Sequence, residues 1–215
     1  MTENFIEGHY TLEKKSKLKK FYESNKIFIF STIFIIIITI VSFSFYFDNK
    51  EKKSLLLSDD YVQAKIYLEK GDRIEATNLL EKMVLANNST YSTLALFLII
   101  NQNLISDHKK LNNLFEHLLT KNKFEDEVRN LLIFKKALLN SNFANESELI
   151  ESVQPLLNED TLWKAHVLIL LGDYFVSKNE NIKAKEFYIK VLNIKGVHKD
   201  LQDQARLQLT LIAND

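Results

Sequence analysis

Any metal or acid–base chemistry in this chain would have to start from five histidines, His9, His108, His117, His166 and His198, because there is no cysteine. None of them forms H-E-x-x-H or another close ligand pair on one helical face. His108 and His117 stand nine positions apart, which puts them on opposite sides of a helix, so they cannot share an ion. Glu116 is adjacent to His117, and neighbouring helical residues diverge by about 100°. Asp59-Asp60 reads as a helix start, where carboxylates favour the positive end of the macrodipole. No G-x-S-x-G, Walker-type loop or dinucleotide fingerprint occurs, and four glycines cannot build the usual phosphate cradle. Asn87-Asn88-Ser89 and Asn145-Glu146-Ser147 match the glycosylation acceptor, which matters only in a eukaryotic secretory setting. Trp163 suits core packing better than ligand stacking. The expectation is a chain with no catalytic residue, metal site or cofactor, and not an enzyme.

The elements that position these residues begin with a run that carries no charge, Gly or Pro. From Ile27 to Phe47 the chain reads IFIFSTIFIIIITIVSFSFYF, and fifteen of the 21 residues are Ile, Phe or Val. Each is worth about −0.3 to −0.6 kcal/mol at the centre of an inserted helix. As a helix the run is about 31 Å long, the thickness of a bilayer's hydrocarbon core. Its Ser and Thr hydroxyls can bond back to the preceding turn. A cleaved signal peptide would have a shorter apolar region ending in small residues, and no Ala occurs before Ala64. An uncleaved single-pass anchor is expected, with Ile27 and Phe47 at its ends. Six lysines (14, 15, 17, 19, 20 and 26) precede it within 15 residues, and three (50, 52 and 53) follow. That asymmetry predicts a cytoplasmic N-terminus and a translocated C-terminal part.

Excluding residues 1–26, the chain has 22 basic and 24 acidic residues, a poor balance for nucleic-acid binding. The basic stretch Lys14 to Lys20 fits topology and contact with anionic lipid beside a span. Four Gly and one Pro in 215 residues leave few turns of the kind sheets need. Spacings of three and four predict helices over 59–69, 73–86, 90–101, 107–120, 125–140, 146–156, 161–177, 181–194 and 199–212. Short polar connections imply antiparallel neighbours, and Asp72, Asp107 and Asn145 stand at N-cap positions. The organisation is therefore a basic head (1–26), a membrane helix (27–47), a stalk (48–58) and an all-α domain (59–215).

Within that domain two segments superpose at an offset of 108: Ala64–Leu80 (AKIYLEKGDRIEATNLL) and Gly172–Tyr188 (GDYFVSKNENIKAKEFY). Tyr67 meets Phe175, Ile74 meets Ile182, Ala76 meets Ala184 and Leu80 meets Tyr188. Leu171, Gly172, Phe175, Ala184 and Tyr188 fit the tetratricopeptide repeat (TPR), a helical pair with small and aromatic residues on its first helix and Ala then an aromatic on its second. The stretches 89–119 and 125–157 have the length of helical pairs but few signature residues. Residues 202–212 read as a capping helix whose outer face must be polar. The expected fold is an all-α, TPR-like helical-hairpin solenoid behind a single transmembrane helix. Its binding surface is sought on first helices, between Tyr61 and Leu68, Tyr91 and Leu98, and Leu162 and Phe175.

The combination resembles the YfgM-like ancillary subunits of the bacterial Sec translocon, a membrane-anchored tetratricopeptide family. The residues that carry the resemblance are the lead-in Lys19-Lys20-Phe21-Tyr22-Glu23-Ser24-Asn25-Lys26, then Asn88-Ser89-Thr90-Tyr91 with Ala95, and the pair from Leu171 to Val191. The resemblance implies a single-pass inner-membrane protein whose periplasmic repeats contact translocon subunits, a membrane-anchored periplasmic chaperone and exported chains. A structural scaffold for cell-envelope assembly or division is the alternative expectation, and a regulatory role of the cytosolic head is a third.

Overall fold

In the computed structural model, residues 3–158 and 161–213 are described, with side chains from Lys19 onward except that of Ile29. Among these residues there are nine helices and no strand. Local chemistry explains where the helices start. The Asp72 carboxylate accepts the Glu75 amide at the head of α2 (Arg73–Val84). Asn88 accepts the Thr90 and Tyr91 amides at 3.1 and 2.9 Å to open α3 (Ser89–Asn101). Asp107 does the same for α4 (His108–Lys121). Asn145 and Glu148 exchange reciprocal bonds of 3.1 and 3.0 Å before α6 (Glu146–Asn158), a capping box that satisfies two orphan donors. The remaining helices are α1 (Glu3–Glu69), α5 (Asp126–Asn140), α7 (Lys164–Ser177), α8 (Asn181–Leu192) and α9 (Lys199–Ala213). Seven of the nine sequence-derived helices start within one residue of their observed starts, and α7 begins at Lys164, three residues later than expected. The first is different: it is the tail of α1, which is helical through the expected stalk as well.

The chain divides into two units, Met1–Leu56 and Leu57–Asp215. In the first, α1 carries an 18-residue stretch of mean hydropathy 2.2 with none of it buried. This one helix, near the N-terminus, is long and apolar enough to cross a membrane. The Thr32 and Thr39 hydroxyls each donate to the carbonyl four residues back at 2.8 Å, and Ser31 donates to Phe28 O at 2.9 Å. Their polar atoms are thus satisfied inside the helix, as an apolar surrounding requires. Just beyond, Lys52 and Asp48 form an i, i+4 ion pair of 2.8 Å.

In the second unit each helix from α2 to α9 packs on the next in sequence, and α2 with α4 and α7 with α9 also touch. The apolar residues collect in two clusters. One joins Ala64 of α1 to Leu80, Ala95, Ile99, Phe115 and Leu132. The other joins Ala137 of α5 to Val153, Leu171, Phe175, Tyr188 and Ala205. Helix α5 serves both, through Leu132 on one side and Ile133, Phe134 and Ala137 on the other. The α9 outer face is less polar than a capping helix was expected to have: Leu207 and Leu211 are 59% and 52% exposed.

Candidate protein-binding surface

The nine residues and positions singled out by the repeat alignment occupy the interior rather than a surface. Ala64, Ala76, Leu80, Leu171, Ala184 and Tyr188 are fully buried, Gly172 and Phe175 are buried, and Tyr67 is half-buried. Ile74 and Ile182, aligned in the two segments, are instead 74% and 80% exposed. They share a position on the outside of their helices, so their likeness is not one of packing.

The two aligned segments also share backbone geometry. Gly71 and Asn179 have φ of 80° and 61°. The amide of Gly71 donates to Leu68 O and that of Asp72 to Tyr67 O, at 3.0 and 2.8 Å. In the later pair Asn179 donates to Val176 O and Glu180 to Phe175 O, both at 2.9 Å. Each bond is displaced by the same 108 positions. This is the Schellman closure, which needs a residue in the left-handed region.

Packing repeats where the signature letters do not. The second helices bury residues at the spacing i, i+4, i+7: Ala76, Leu80 and Met83 in α2, and Ala184, Tyr188 and Val191 in α8. The same spacing returns in α4 as Leu111, Phe115 and Leu118, and in α6 as Leu149, Val153 and Leu156. A small buried residue also stands in each facing helix, as Ala64, Ala95, Ala137, Gly172 and Ala205. Sequence reading missed Ala137 and the two middle triplets. The signal was available in the apolar spacing, but Leu, Phe and Val are too common for it to stand out.

Close approach is sharpest at Gly172. A β-carbon there would lie 2.6 and 2.9 Å from Cζ and Cδ1 of Tyr188. Tyr188 cannot swing aside freely, being fully buried, with its hydroxyl donating to Asp173 Oδ1 at 2.6 Å. Burial raises the Asp173 pKa above its ordinary 3.8, and the Tyr188 hydrogen bond opposes that shift. Burial first, and then Asp173, push the Tyr188 pKa up, so the phenol stays a donor. Lys183 binds Glu146 and Glu180, both at 2.8 Å; its hydrogen bond to Glu146 is the chief reason its pKa is raised.

Among the described histidines, His108, His117 and His166 make side-chain contacts and His198 is exposed beside Asp200; the side chain of His9 lies outside the described residues. His108 Nε2 lies 2.8 Å from Asn140 Oδ1 and its ring faces Phe143; His117 Nε2 lies 2.9 Å from Asn87 Oδ1. Among the described residues no three His, Asp or Glu side chains are grouped to hold a metal. Trp163 donates to Glu127 Oε2 at 3.1 Å and packs against Phe134 and His166.

Surface available for a partner is narrower than the three windows suggested. In the first two windows Val62 and Leu94 are 54% and 40% exposed. The third is almost wholly interior: Ala165, Val167–Gly172, Tyr174 and Phe175 are buried. Along α7 Asp173 is exposed, and just before the helix Leu162 is 77% exposed beside a cleft of about 520 Å³. A smaller cleft of about 280 Å³ lies among α4, α5 and α6 and includes His108 and Asn140. Compared with family models, curated proteins and solved structures, the chain matches none.

Proposed function

We propose that this chain is a membrane-tethered, TPR-like protein-binding module of the bacterial inner membrane, acting beside the Sec translocon and periplasmic chaperones to assist export or folding of envelope proteins. The observation that supports the reading is the recurrent burial: four successive helical pairs each bury a small residue on one helix and an i, i+4, i+7 triplet on the other, and the first and last pairs share a turn bond for bond. Stacked pairs of this kind offer an extended surface to polypeptides. The N-terminus lies in the cytoplasm and the helical domain in the periplasm, supported by six lysines before the apolar helix against three after it. The role of the anchor is confinement. A partner in the same membrane meets the domain at high effective concentration, so shallow contacts suffice.

Photocrosslinking groups at Val62 and Leu94, read out in native membranes, test the partner class. Recovery of the translocon channel or its chaperones supports the reading, while recovery of division or wall-synthesis proteins alone overturns it. Topology is tested separately with protease added to spheroplasts, which removes the helical domain if it faces the periplasm and leaves it intact if it does not.

A further inference from the structure

We infer that the cleft at the start of α7 docks short, extended polypeptide segments in which Asp or Glu alternates with large apolar residues. Its volume of about 520 Å³ lies in the range of pockets that enclose compact ligands, which suits a few residues of extended chain. The walls come from the first turn of α7, the loop between α8 and α9, the start of α9, and Glu127 on α5. The floor is apolar: Ala165 is buried, and Ile194, Val197 and Leu201 belong to the edge of the second cluster. Leu162 stands on the rim at 77% exposure. Such a surface in water gains about 25 cal/mol for each Å² of apolar area that a ligand covers.

Charge selects among apolar ligands. Lys164 and Lys195 line the same cleft, together with His166 and His198. Among the described lining residues Glu127 is the one carboxylate, and its Oε2 already accepts the Trp163 indole N–H. The lining thus sets two lysines against one engaged carboxylate, with His198 beside Asp200 at 3.4 Å, on a domain whose charge past residue 26 is slightly acidic. Complementary charge speeds encounter and rejects cationic partners. A segment with carboxylates reaching the lysines and Leu-like side chains on the floor satisfies both features; a purely acidic or purely apolar segment satisfies one.

This inference rests on the protein-binding reading and adds where the segment sits and what it contains. The test uses full-length protein in lipid nanodiscs and a labelled peptide alternating Leu with Glu, with fluorescence anisotropy as readout. The peptide is expected to bind, to weaken as salt is raised, and to lose at least about tenfold in affinity with Lys164→Glu/Lys195→Glu. Acidic residues favour a helix N-terminus, so Lys164→Glu does not undermine α7, and an unchanged circular dichroism spectrum and melting temperature confirm this. The double variant is expected to prefer the same peptide carrying Lys in place of Glu. A photocrosslinker at Leu162 should label the peptide. Equal binding of the Glu and Lys peptides by the native protein, no effect of the charge reversal, or labelling from Val62 but not Leu162 would each overturn the inference. The translocon crosslinks are independent of these outcomes. If they are found while the peptide fails, docking chemistry falls and the proposed function stands; the converse result sinks the function alone.

Discussion

The first and last helical pairs have the same backbone turn and different contents. In the first pair Ala64 and Leu80 belong to one apolar cluster; between α7 and α8, Gly172 lies against Tyr188. The later pair gives up a methyl group on one helix to seat an aromatic ring from the other, and adds the Tyr188–Asp173 hydrogen bond. Residue 65, at the place of Asp173, is Lys65, so the earlier pair has no counterpart of that bond. Interiors packed to crystal density accept such exchanges only when volume is conserved across the interface. The two pairs thus solve one geometric problem with different allocations of bulk.

Removing the larger side chain should break the later pair most severely. Tyr188→Ala is expected to cost about 3–5 kcal/mol, against about 2–5 kcal/mol for Leu80→Ala, read from denaturant unfolding of the full chain in micelles. Equal losses would mean that the Asp173 bond and the ring contribute nothing beyond a leucine. Next comes Gly172→Ala, which gains up to about 1 kcal/mol of helix propensity but forces the Tyr188 ring to move, for a net loss of about 1–2 kcal/mol. The double variant Gly172→Ala/Tyr188→Leu copies the first pair. It should be more stable than the sum of its single changes by about 1 kcal/mol or more; strict additivity would show that the two residues do not share one space.

The turns give a smaller contrast. Gly71→Ala places a β-carbon at φ 80° and should cost about 1–2 kcal/mol. Gly71→Asn imports the residue used at the equivalent Asn179 and should cost less, since Asn tolerates the left-handed region; the comparison is read from melting temperatures of the two variants. The smallest effect concerns Asp173. Its folded pKa lies above 3.8, so the fold favours the protonated form. That contribution is present below pH 3.8 and is lost as pH rises through the folded value. Asp173→Asn keeps an acceptor for Tyr188 and should flatten this part of the stability–pH curve, with a change below about 1 kcal/mol at neutral pH. A curve that keeps its slope would assign the slope to another group.

Much of the helical framework was legible because several helix starts have a local cause, although α5, α7 and α8 begin with no side-chain cap. Asp72, Asp107 and Asn145 bind the amides that a helix start exposes, and apolar spacing between them left little freedom. The start of α7 is the largest miss at a boundary: Thr161 to Trp163 continue the apolar pattern, yet the helix begins at Lys164 with Trp163 as its cap residue. The surface was harder to read. Nothing in the letters of Leu162–Phe175 distinguishes a helix with one covered side from one covered on nearly all sides, because that depends on α6, α8 and α9 closing around it. The middle pairs were obscured for a related reason. Phe115 and Val153 fill the place of Leu80 and Tyr188, and position in the stack, not residue identity, makes them equivalent.

Helix α5 contributes to both apolar clusters, and it stands between them like a party wall between adjoining rooms. Each room has its own furnishing, so damage far from the wall stays local, whereas a void opened in the wall is felt on both sides. Hydrogen–deuterium exchange should therefore fade inward from the outer pairs, with the amides around Leu132 and Ala137 among the last to open.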